Sequence, residues 1–301
     1  MTIVPPQPGE PRRPLGQRDP GDAWVVAPTG ERYWGRFGAA GLLAFDPAKG
    51  VLLQHRVEWS HFGGTWALPG GALHEGESAL AGAVREAGEE AGVPREAVAP
   101  RFTSAYDVGV WRYTTVVADV ADPFDPVISD PESLELGWFE PDAVDGLPLH
   151  PGFAASWPKL RALLETRPAV LVDAANVVGS VPDGWWRDRA GAAARLRERL
   201  GALAAAGVDG RELGLAGTHW YPSMAMVVEG KARDVASADD VRVFAASGSG
   251  DDELVTRAEA MGASGLTVVA VTSDRQLRGR LEGIGVTVKG TGWLREQLDG
   301  V

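Results

Sequence analysis

The most constraining feature of this sequence is an acidic run between Gly71 and Val93, which reads GALHEGESALAGAVREAGEEAGV. The spacing of its apolar and polar residues predicts a helix over residues 78–91. Glu86, Glu89 and Glu90 stand at i, i+3 and i+4, so we expect them to project from one helical face. Three like charges on one face repel each other, and a divalent cation such as Mg²⁺ or Mn²⁺ is a natural counter-ion for carboxylate oxygens.

Composition narrows the class of protein. A chain of 301 residues is long enough for two domains, each with its own core. The absence of cysteine excludes disulfides and thiolate metal sites, and the net charge of −12 disfavours non-specific binding to long nucleic acids. No apolar run is long enough to span a membrane, and the N-terminus lacks the pattern of a secretory signal. A cytoplasmic protein is the simplest expectation.

The composition also shifts along the chain. Residues 1–22 are rich in proline, glycine and arginine, which predicts a poorly ordered tail. Two α/β domains are expected to follow, at 23–165 and 168–301. In the first domain, apolar runs and turn signals predict strands at 37–45, 51–56, 108–120 and 135–139, and a closing helix at 158–164.

The acidic run resembles the Nudix box at every constrained position, and the resemblance covers residues 24–164. It implies an α/β/α sandwich with a mixed sheet, a divalent cation, and hydrolysis of a nucleoside diphosphate that is linked to another group. A pyrophosphate bridge is polyanionic, so its negative charge must be neutralised before water can attack. The matching positions are Gly71, Glu77, Arg85, Glu86, Ala87, Glu89, Glu90, Gly92 and Val93.

The resemblance also implies roles for these residues. Glu77 and Arg85 are expected to pair and to hold the loop against the helix. Which glutamate acts as the base, and which acts only as a ligand, stays open, because carboxylates coupled around a metal do not titrate independently. The implied metal ligands are Gly71, through its carbonyl, Glu86, Glu89 and Glu90, and the implied catalytic residues are Arg85, Glu86, Glu89 and Glu90.

Residues outside the box are expected to select the substrate. Arg56 ends a predicted strand facing the box and could contact a phosphate, and Glu135 resembles an acid that many Nudix proteins carry on a late strand. A surface position is an equally good interpretation of both. His55, His61 and His74 receive no role, since isolated histidines are more often structural or solvated. A nucleoside triphosphate, including an oxidised one, is the default substrate.

The second half of the chain alternates apolar strands with helical segments, which predicts a doubly wound parallel sheet. The strand at 169–173 ends in Asp173, and Asn176 follows three residues later. Asp251 lies at the start of a predicted helix, and Asp274 follows another apolar strand. Acids at the carboxyl ends of parallel strands can converge at one edge of the sheet.

This order of residues resembles the NYN group of PIN-like nucleases (YacP-like), over residues 169–298. The resemblance implies a Rossmann-like domain, phosphodiester hydrolysis and RNA as a partner. A further acid that many such nucleases carry is represented only by Asp188, a weak candidate. The alternative is a Rossmann-like domain in which the aspartates merely cap helices. The residues implied to surround one or two Mg²⁺ ions are Asp173, Asn176, Asp251, Ser273 and Asp274.

Three functions follow from these patterns. The first is a metal-dependent Nudix pyrophosphohydrolase that carries a second, nuclease-like domain. The second is an RNA-processing enzyme that removes a 5′ pyrophosphate in one domain and cuts RNA in the other. The third is a nucleotide sensor without turnover, which the intact set of box glutamates disfavours. Both resemblances are compatible with a homodimer, and no membrane partner is expected.

Overall fold

A computed structural model of the chain describes residues 1–5, 21–181 and 184–301. The backbone forms two compact units, Met1–Leu164 and Glu165–Val301. Within the predicted tail, Thr2–Val4 is a strand that pairs antiparallel with Trp24–Val26, so the expectation of poor order is wrong there. Residues 6–20 of that tail lie outside the described residues. None of the described helices has the length and apolar character needed to cross a bilayer.

In its described residues, 1–5 and 21–164, the first unit has short N-terminal strands, a larger sheet and two α-helices. The strands are β1 (Thr2–Val4), β2 (Trp24–Val26), β3 (Arg32–Trp34), β4 (Ala39–Asp46), β5 (Gly50–Arg56), β6 (Trp66–Ala67), β7 (Gly70–Ala72), β8 (Val98–Asp107), β9 (Arg112–Val120) and β10 (Ser133–Phe139), and the helices are α1 (Ala79–Ala91) and α2 (Pro151–Leu163).

The larger sheet of this unit runs in the order β10-β5-β4-β9-β8, with β6 and β7 added beside β5 and β4. Strands β4 and β9 are parallel, whereas β10–β5, β4–β5 and β8–β9 are antiparallel. The predicted mixed sheet is therefore confirmed. Helix α1 packs on this sheet through the fully buried Ala83, Ala87 and Ala91, which share a core with Leu42 and Leu52.

Local sequence explains where α1 begins and ends. The Ser78 side chain accepts a hydrogen bond from the backbone N–H of Ala81, and so caps the first turn. Gly92 has a φ of 64°, and its N–H donates to the carbonyls of Ala87 and Gly88, which is the glycine conformation that ends many helices. The helix predicted at 78–91 is confirmed.

Two predictions for the first unit need correction. The strand predicted at 108–120 is β9, which begins only at Arg112, because the four residues before it form the turn of a hairpin with β8 and contain Gly109 at a φ of 79°. Strand β8 was missed because Pro100 and Arg101 interrupt its apolar pattern, although Arg101 is buried at 4% exposure. Helix α2 starts seven residues earlier than predicted, with Pro151 in its first turn and Pro158 inside it.

The second unit alternates strands and helices, as predicted. Its strands are β11 (Pro168–Asp173), β12 (Val208–Asp209), β13 (His219–Trp220), β14 (Ser223–Val228), β15 (Val241–Ala245), β16 (Thr267–Val271) and β17 (Thr287–Lys289), and its helices are α3 (Ala174–Gly179), α4 (Arg189–Ala206), α5 (Gly210–Leu213), α6 (Gly250–Ala263), α7 (Arg275–Gly283) and α8 (Thr291–Asp299).

The sheet of the second unit has the order β15-β14-β11-β16-β17, and each neighbouring pair is parallel. Leu171 faces a core that includes Leu254 of α6 and Leu277 of α7. Val170 and Val172 alternate with Leu171 and are also fully buried, so both faces of β11 are covered. The predicted parallel sheet is confirmed.

Candidate functional site

The site of the first unit is built where the glycine turn before α1 meets the helix. Strand β7 pairs antiparallel with β4, which places Gly71 opposite Ala40. A Cβ atom at Gly71 would lie 2.6 Å from the carboxyl carbon of Glu86, and one at Gly70 would lie 2.5 Å from the carbonyl oxygen of Ala40. Glycine at position 71 therefore lets the turn approach the helix carboxylate closely, and glycine at position 70 lets it approach the backbone of β4.

Glu90 is the most deeply buried acid of the helix, with 2% of its surface exposed. Its Oε2 accepts a hydrogen bond of 2.9 Å from the backbone N–H of Gly70. The pKa of Glu90 is raised to about 8, chiefly by burial and then by the negative charges of Glu86 and Glu132. The Gly70 hydrogen bond and the positive charge of Arg56 lower it by less. The carboxylates of Glu86 and Glu90 therefore repel each other when both are ionised, which favours binding of a proton or a cation.

Arg85 holds the start of this site together. Its Nε and Nη2 donate to the two carboxylate oxygens of Glu77, each at 2.9 Å, and its Nη1 donates to Glu86 at 2.8 Å. Nη2 also donates to the Ala72 carbonyl. The Arg85 hydrogen bonds lower the pKa of Glu77 to about 2. The predicted Glu77–Arg85 pair is confirmed, and it ties the loop to α1.

The three helix glutamates differ in burial. Glu86 and Glu90 are buried, whereas the Glu89 side chain is 41% exposed and lies 3.6 Å from Arg85. Over residues 1–5, 21–181 and 184–301, no group of three or more His, Asp or Glu side chains is arranged to hold a metal ion. Carboxylate oxygens that are buried beside a glycine turn are nevertheless the donor set that Mg²⁺ prefers.

Three further residues interact electrostatically with Glu90, and the sequence had pointed to only one of them. The positive charge of Arg56 lowers the pKa of Glu90, which puts this strand-end arginine within electrostatic range of the site. Glu132 and Tyr113 were missed. Burial raises the pKa of the Tyr113 hydroxyl, and the charges of Glu90 and Glu86 raise it further. Both residues come from strands or turns that reach the site only in the folded sheet, so no local motif marks them.

The other sequence candidate, Glu135, is exposed on β10, opposite His55 in the strand register. The ring of His55 stacks on that of Trp66, with 4.8 Å between ring centroids, and so belongs to a packed aromatic pair. Trp66 itself is buried. Glu132, three residues before Glu135, is the acid whose charge acts on Glu90.

In the second unit, four of the five sequence candidates are joined by hydrogen bonds at the carboxyl edge of the parallel sheet. Asp173 accepts from the backbone N–H of Asn176 at 3.0 Å and from the hydroxyl of Thr272 at 2.9 Å. The Asn176 side-chain oxygen accepts from the N–H of Ser273 at 2.8 Å. Asp274 closes the group, since its N–H donates to the Thr272 hydroxyl at 3.2 Å.

Asp251 reaches this group through charge. Burial raises the pKa of Asp251, and the charge of Asp274 raises it further. Glu229, which directly follows β14, raises the pKa of both Asp173 and Asp251. Glu229 is thus an additional acid near this edge, and the sequence analysis did not single it out. The weak candidate Asp188 instead caps α4, accepting from the N–H of Gly191 at 2.9 Å.

Comparison with known proteins gives the family of the first unit. Residues 35–162 match the NUDIX domain family. A protein of Mycobacterium tuberculosis (strain H37Rv), named "Putative 8-oxo-dGTP diphosphatase 3", is 50% identical over 166 residues, which are 52% of this chain and 76% of that protein. A Bifidobacterium longum protein, named "Nucleoside triphosphate pyrophosphatase/Nudix hydrolase fusion protein", is 40% identical over 154 residues, 48% of this chain and 32% of that protein.

Among solved structures, a Nudix hydrolase from M. smegmatis, RenU, is 51% identical and covers 48% of this chain and 94% of its own, with a TM-score of 0.44. The decisive match is the identity of 50% over three quarters (76%) of the M. tuberculosis relative, together with the NUDIX domain match. The chain therefore belongs to the Nudix family, and it is a Nudix hydrolase.

Proposed function

We propose that the first unit is a domain spanning residues 23–165 that hydrolyses the pyrophosphate linkage of a nucleoside triphosphate with the help of Mg²⁺ or Mn²⁺. The observation that carries this proposal is the pair of buried carboxylates, Glu86 and Glu90, beside the Gly70–Gly71 turn. Such a pair is strongly disfavoured when both members are ionised without a cation. A polyanionic substrate needs the same positive charge.

Glu86, Glu90, Glu89 and the Gly71 carbonyl would hold the cation. When bound, the cation neutralises phosphate charge and makes a bound water more acidic. Arg85 keeps Glu86 in position and fixes the loop through Glu77. Arg56 supplies a second positive charge within electrostatic range of Glu90, where it could contact a phosphate oxygen.

We infer an oxidised purine nucleotide as the first substrate to test. The M. tuberculosis relative is named for 8-oxo-dGTP, and its identity with this chain is 50% over 166 residues. 8-oxo-dGTP differs from dGTP by one oxygen on the base, so any preference between them must come from contacts to that part of the base. The unmodified dGTP is therefore the proper comparison. The expected products are a nucleoside monophosphate and pyrophosphate.

The test is a pyrophosphate-release assay with 8-oxo-dGTP, dGTP and the other nucleoside triphosphates, with and without Mg²⁺. Glu90→Gln and Glu86→Gln should each lower kcat at least about 100-fold. Glu96→Gln is the matched control, since Glu96 is exposed and lies just after the helix. Unchanged turnover in both site variants would overturn the assignment. Nucleotide binding by the wild type without any turnover would favour the sensor alternative.

For residues 168–301 we propose a NYN/PIN-like (YacP-like) nuclease domain as a second function. Its support is the hydrogen-bonded group of Asp173, Asn176 and Ser273 at the carboxyl edge of a parallel sheet, with Asp251 and Asp274 beside it. Together with the first domain, it would make an RNA-processing enzyme. Cleavage of single-stranded RNA with Mg²⁺ should fall in Asp173→Asn and persist in Asp239→Asn, an exposed control. Equal cleavage by both variants would contradict this function.

A further inference from the structure

The loop between β5 and β6 holds an aromatic residue in a conformation that L-residues rarely adopt. Phe62 has a φ of 55°, and the other described residues with positive φ are glycines. Its ring is 47% exposed, so burial does not compensate the strained backbone. A strained non-glycine residue that gains little from packing indicates a functional constraint.

Hydrogen bonds hold this loop in shape. The N–H of Gly64 donates to the Arg56 carbonyl at 2.9 Å, and the Thr65 hydroxyl donates to the Phe62 carbonyl at 2.6 Å. The N–H of Gly63 donates to the Ser60 carbonyl at 3.0 Å. The loop thus presents the Phe62 ring at a fixed place on the surface of the first unit.

Two histidines complete an aromatic cluster around Phe62. The ring centroids of His61 and Phe62 are 4.3 Å apart, and those of Phe62 and His150 are 4.8 Å apart at an interplanar angle of 84°. His150 precedes α2, so the cluster joins two separate segments of the unit. His61 also meets Trp24 edge to face, at 5.5 Å between centroids.

Both histidines are uncharged near neutral pH. Burial, together with the charges of Arg56 and His61, lowers the pKa of His150 to about 4. Burial and then Arg56 lower the pKa of His61. The Nδ1 of His150 accepts from the N–H of Gly152 at 3.1 Å, which leaves the proton of the neutral ring on Nε2. The cluster therefore offers neutral ring faces and a ring N–H donor.

Arg56 connects this cluster to the carboxylate site. Its Nε donates to the His61 carbonyl at 3.3 Å. The backbone N–H of Arg56 also donates to the Thr65 carbonyl at 2.9 Å, and from Thr65 the chain runs through β6 into the Gly70–Gly71 turn that contacts the two buried glutamates. A nucleotide has the matching form, since it carries a flat aromatic base at one end and a polyanion at the other.

We propose that His61, Phe62 and His150 bind the purine base of the nucleotide whose phosphates lie at the Glu86–Glu90 site. Arg56 lies between the two subsites and attracts the phosphate nearest the nucleoside. The base stacks on the exposed Phe62 ring, and the histidines border it with neutral rings that attract π-systems without repelling Arg56. This inference rests on the proposed nucleotide hydrolysis, and it assigns the base-recognition subsite.

The test measures binding rather than turnover. Calorimetry with Mg²⁺ compares 8-oxo-dGMP, which carries the base, with inorganic pyrophosphate, which has none. Phe62→Leu keeps an apolar side chain but removes the aromatic face, so the Kd for 8-oxo-dGMP should rise about tenfold, the effect of losing one base–aromatic stack. The Kd for pyrophosphate should stay within about twofold, and Phe62→Tyr should restore nucleotide binding.

Two further variants keep the result interpretable. Phe62→Gly accepts the positive φ without strain, so it should fold at least as well as the wild type and still bind 8-oxo-dGMP weakly. Tyr106→Leu removes an exposed aromatic ring of β8 and should change neither Kd. An unchanged Kd for 8-oxo-dGMP in Phe62→Leu, equal weakening of both ligands, or no nucleotide binding by the wild type would overturn the subsite. Failure of the proposed hydrolysis would be recognised separately, as normal base binding without turnover.

Discussion

The buried Oε2 atom of Glu90 accepts a hydrogen bond from the backbone N–H of Gly70, with 2.9 Å between the two atoms. This bond joins the turn before the helix to the most deeply buried acid of the helix. It favours the ionised form of Glu90, but burial and the charge of Glu86 oppose ionisation more strongly. The protonation of Glu90 is therefore coupled both to folding and to cation binding.

The first prediction concerns pH. The pKa of Glu90 rises from 4.5 to about 8 in the folded protein, so the folded state holds more protons than the unfolded state between these values. Its contribution to stability is complete below about pH 4.5 and falls as the pH rises toward 8, at about 1.4 kcal/mol per pKa unit. Urea unfolding of the metal-free protein from pH 5 to pH 9 should show this loss.

Glu90→Gln supplies the control for that measurement, because its side chain stays neutral throughout. The variant should be more stable than the wild type at pH 8 in a chelator and should lack this part of the pH dependence. Mg²⁺ should stabilise the wild type at pH 8 and have a smaller effect on the variant. Parallel pH curves for the two proteins would show that Glu90 is ionised already.

Gly71→Ala should damage the site without unfolding the chain. The new Cβ would lie 2.6 Å from the Glu86 carboxyl carbon, so either the turn or the carboxylate must move. A shift of this size in a catalytic group should lower kcat about 100-fold. Gly146→Ala is the matched control, since a Cβ there meets nothing within 4 Å. Equal activity in Gly71→Ala and the wild type would show that the close approach has no catalytic role.

Glu77→Gln should destabilise the first unit because Glu77 receives two hydrogen bonds from Arg85. Breaking charged hydrogen bonds in a group with only 14% exposure should lower the free energy of unfolding by about 1–3 kcal/mol at pH 7. The pKa of Glu77 is lowered from 4.5 to about 2, so the difference from the wild type should vanish as the pH falls through this range. A difference that persists at pH 2 would contradict the ion pair as its cause.

The sequence predicted the carboxylate helix well because its signals are local. The start of the helix is marked by Ser78, its end by Gly92, and its buried face by its own alanines, so each signal lies in or next to the helix itself. The Glu77–Arg85 pair was also predictable, because both residues belong to one recognised motif. The strands β4 and β5 and the parallel sheet of the second unit were readable for a related reason, since each is a short apolar run bounded by turn residues.

The rest of the site could not be read because it depends on how distant strands meet. Glu132 reaches Glu90 only because β10 returns beside β5, a register fixed in part by the bond from the Val57 N–H to the Glu132 carbonyl. Tyr113 arrives on β9, whose parallel pairing with β4 has no local signal. The same limit applies to Glu229, which joins the second acidic group through the parallel pairing of β14 with β11.

Thr272 provides the test of the second acidic group as a folded unit. Its fully buried hydroxyl donates to Asp173 at 2.9 Å and accepts from the N–H of Asp274 at 3.2 Å. Thr272→Val keeps the shape of the side chain but leaves both partners without this hydroxyl. We expect the free energy of unfolding of the second unit to fall by about 1–3 kcal/mol.

The matched control is Thr267→Val, an exposed threonine at the start of the strand that precedes Thr272. It should change stability by less than about 0.5 kcal/mol. Because Thr272→Val also removes a hydrogen bond that favours the ionised form of Asp173, the pKa of that carboxyl should rise further, which carbon-detected NMR titration can measure. An unchanged pKa, together with wild-type stability, would mean that the hydroxyl does not position Asp173, and the acidic edge would then be held by its other hydrogen bonds, such as that between Asn176 and Ser273.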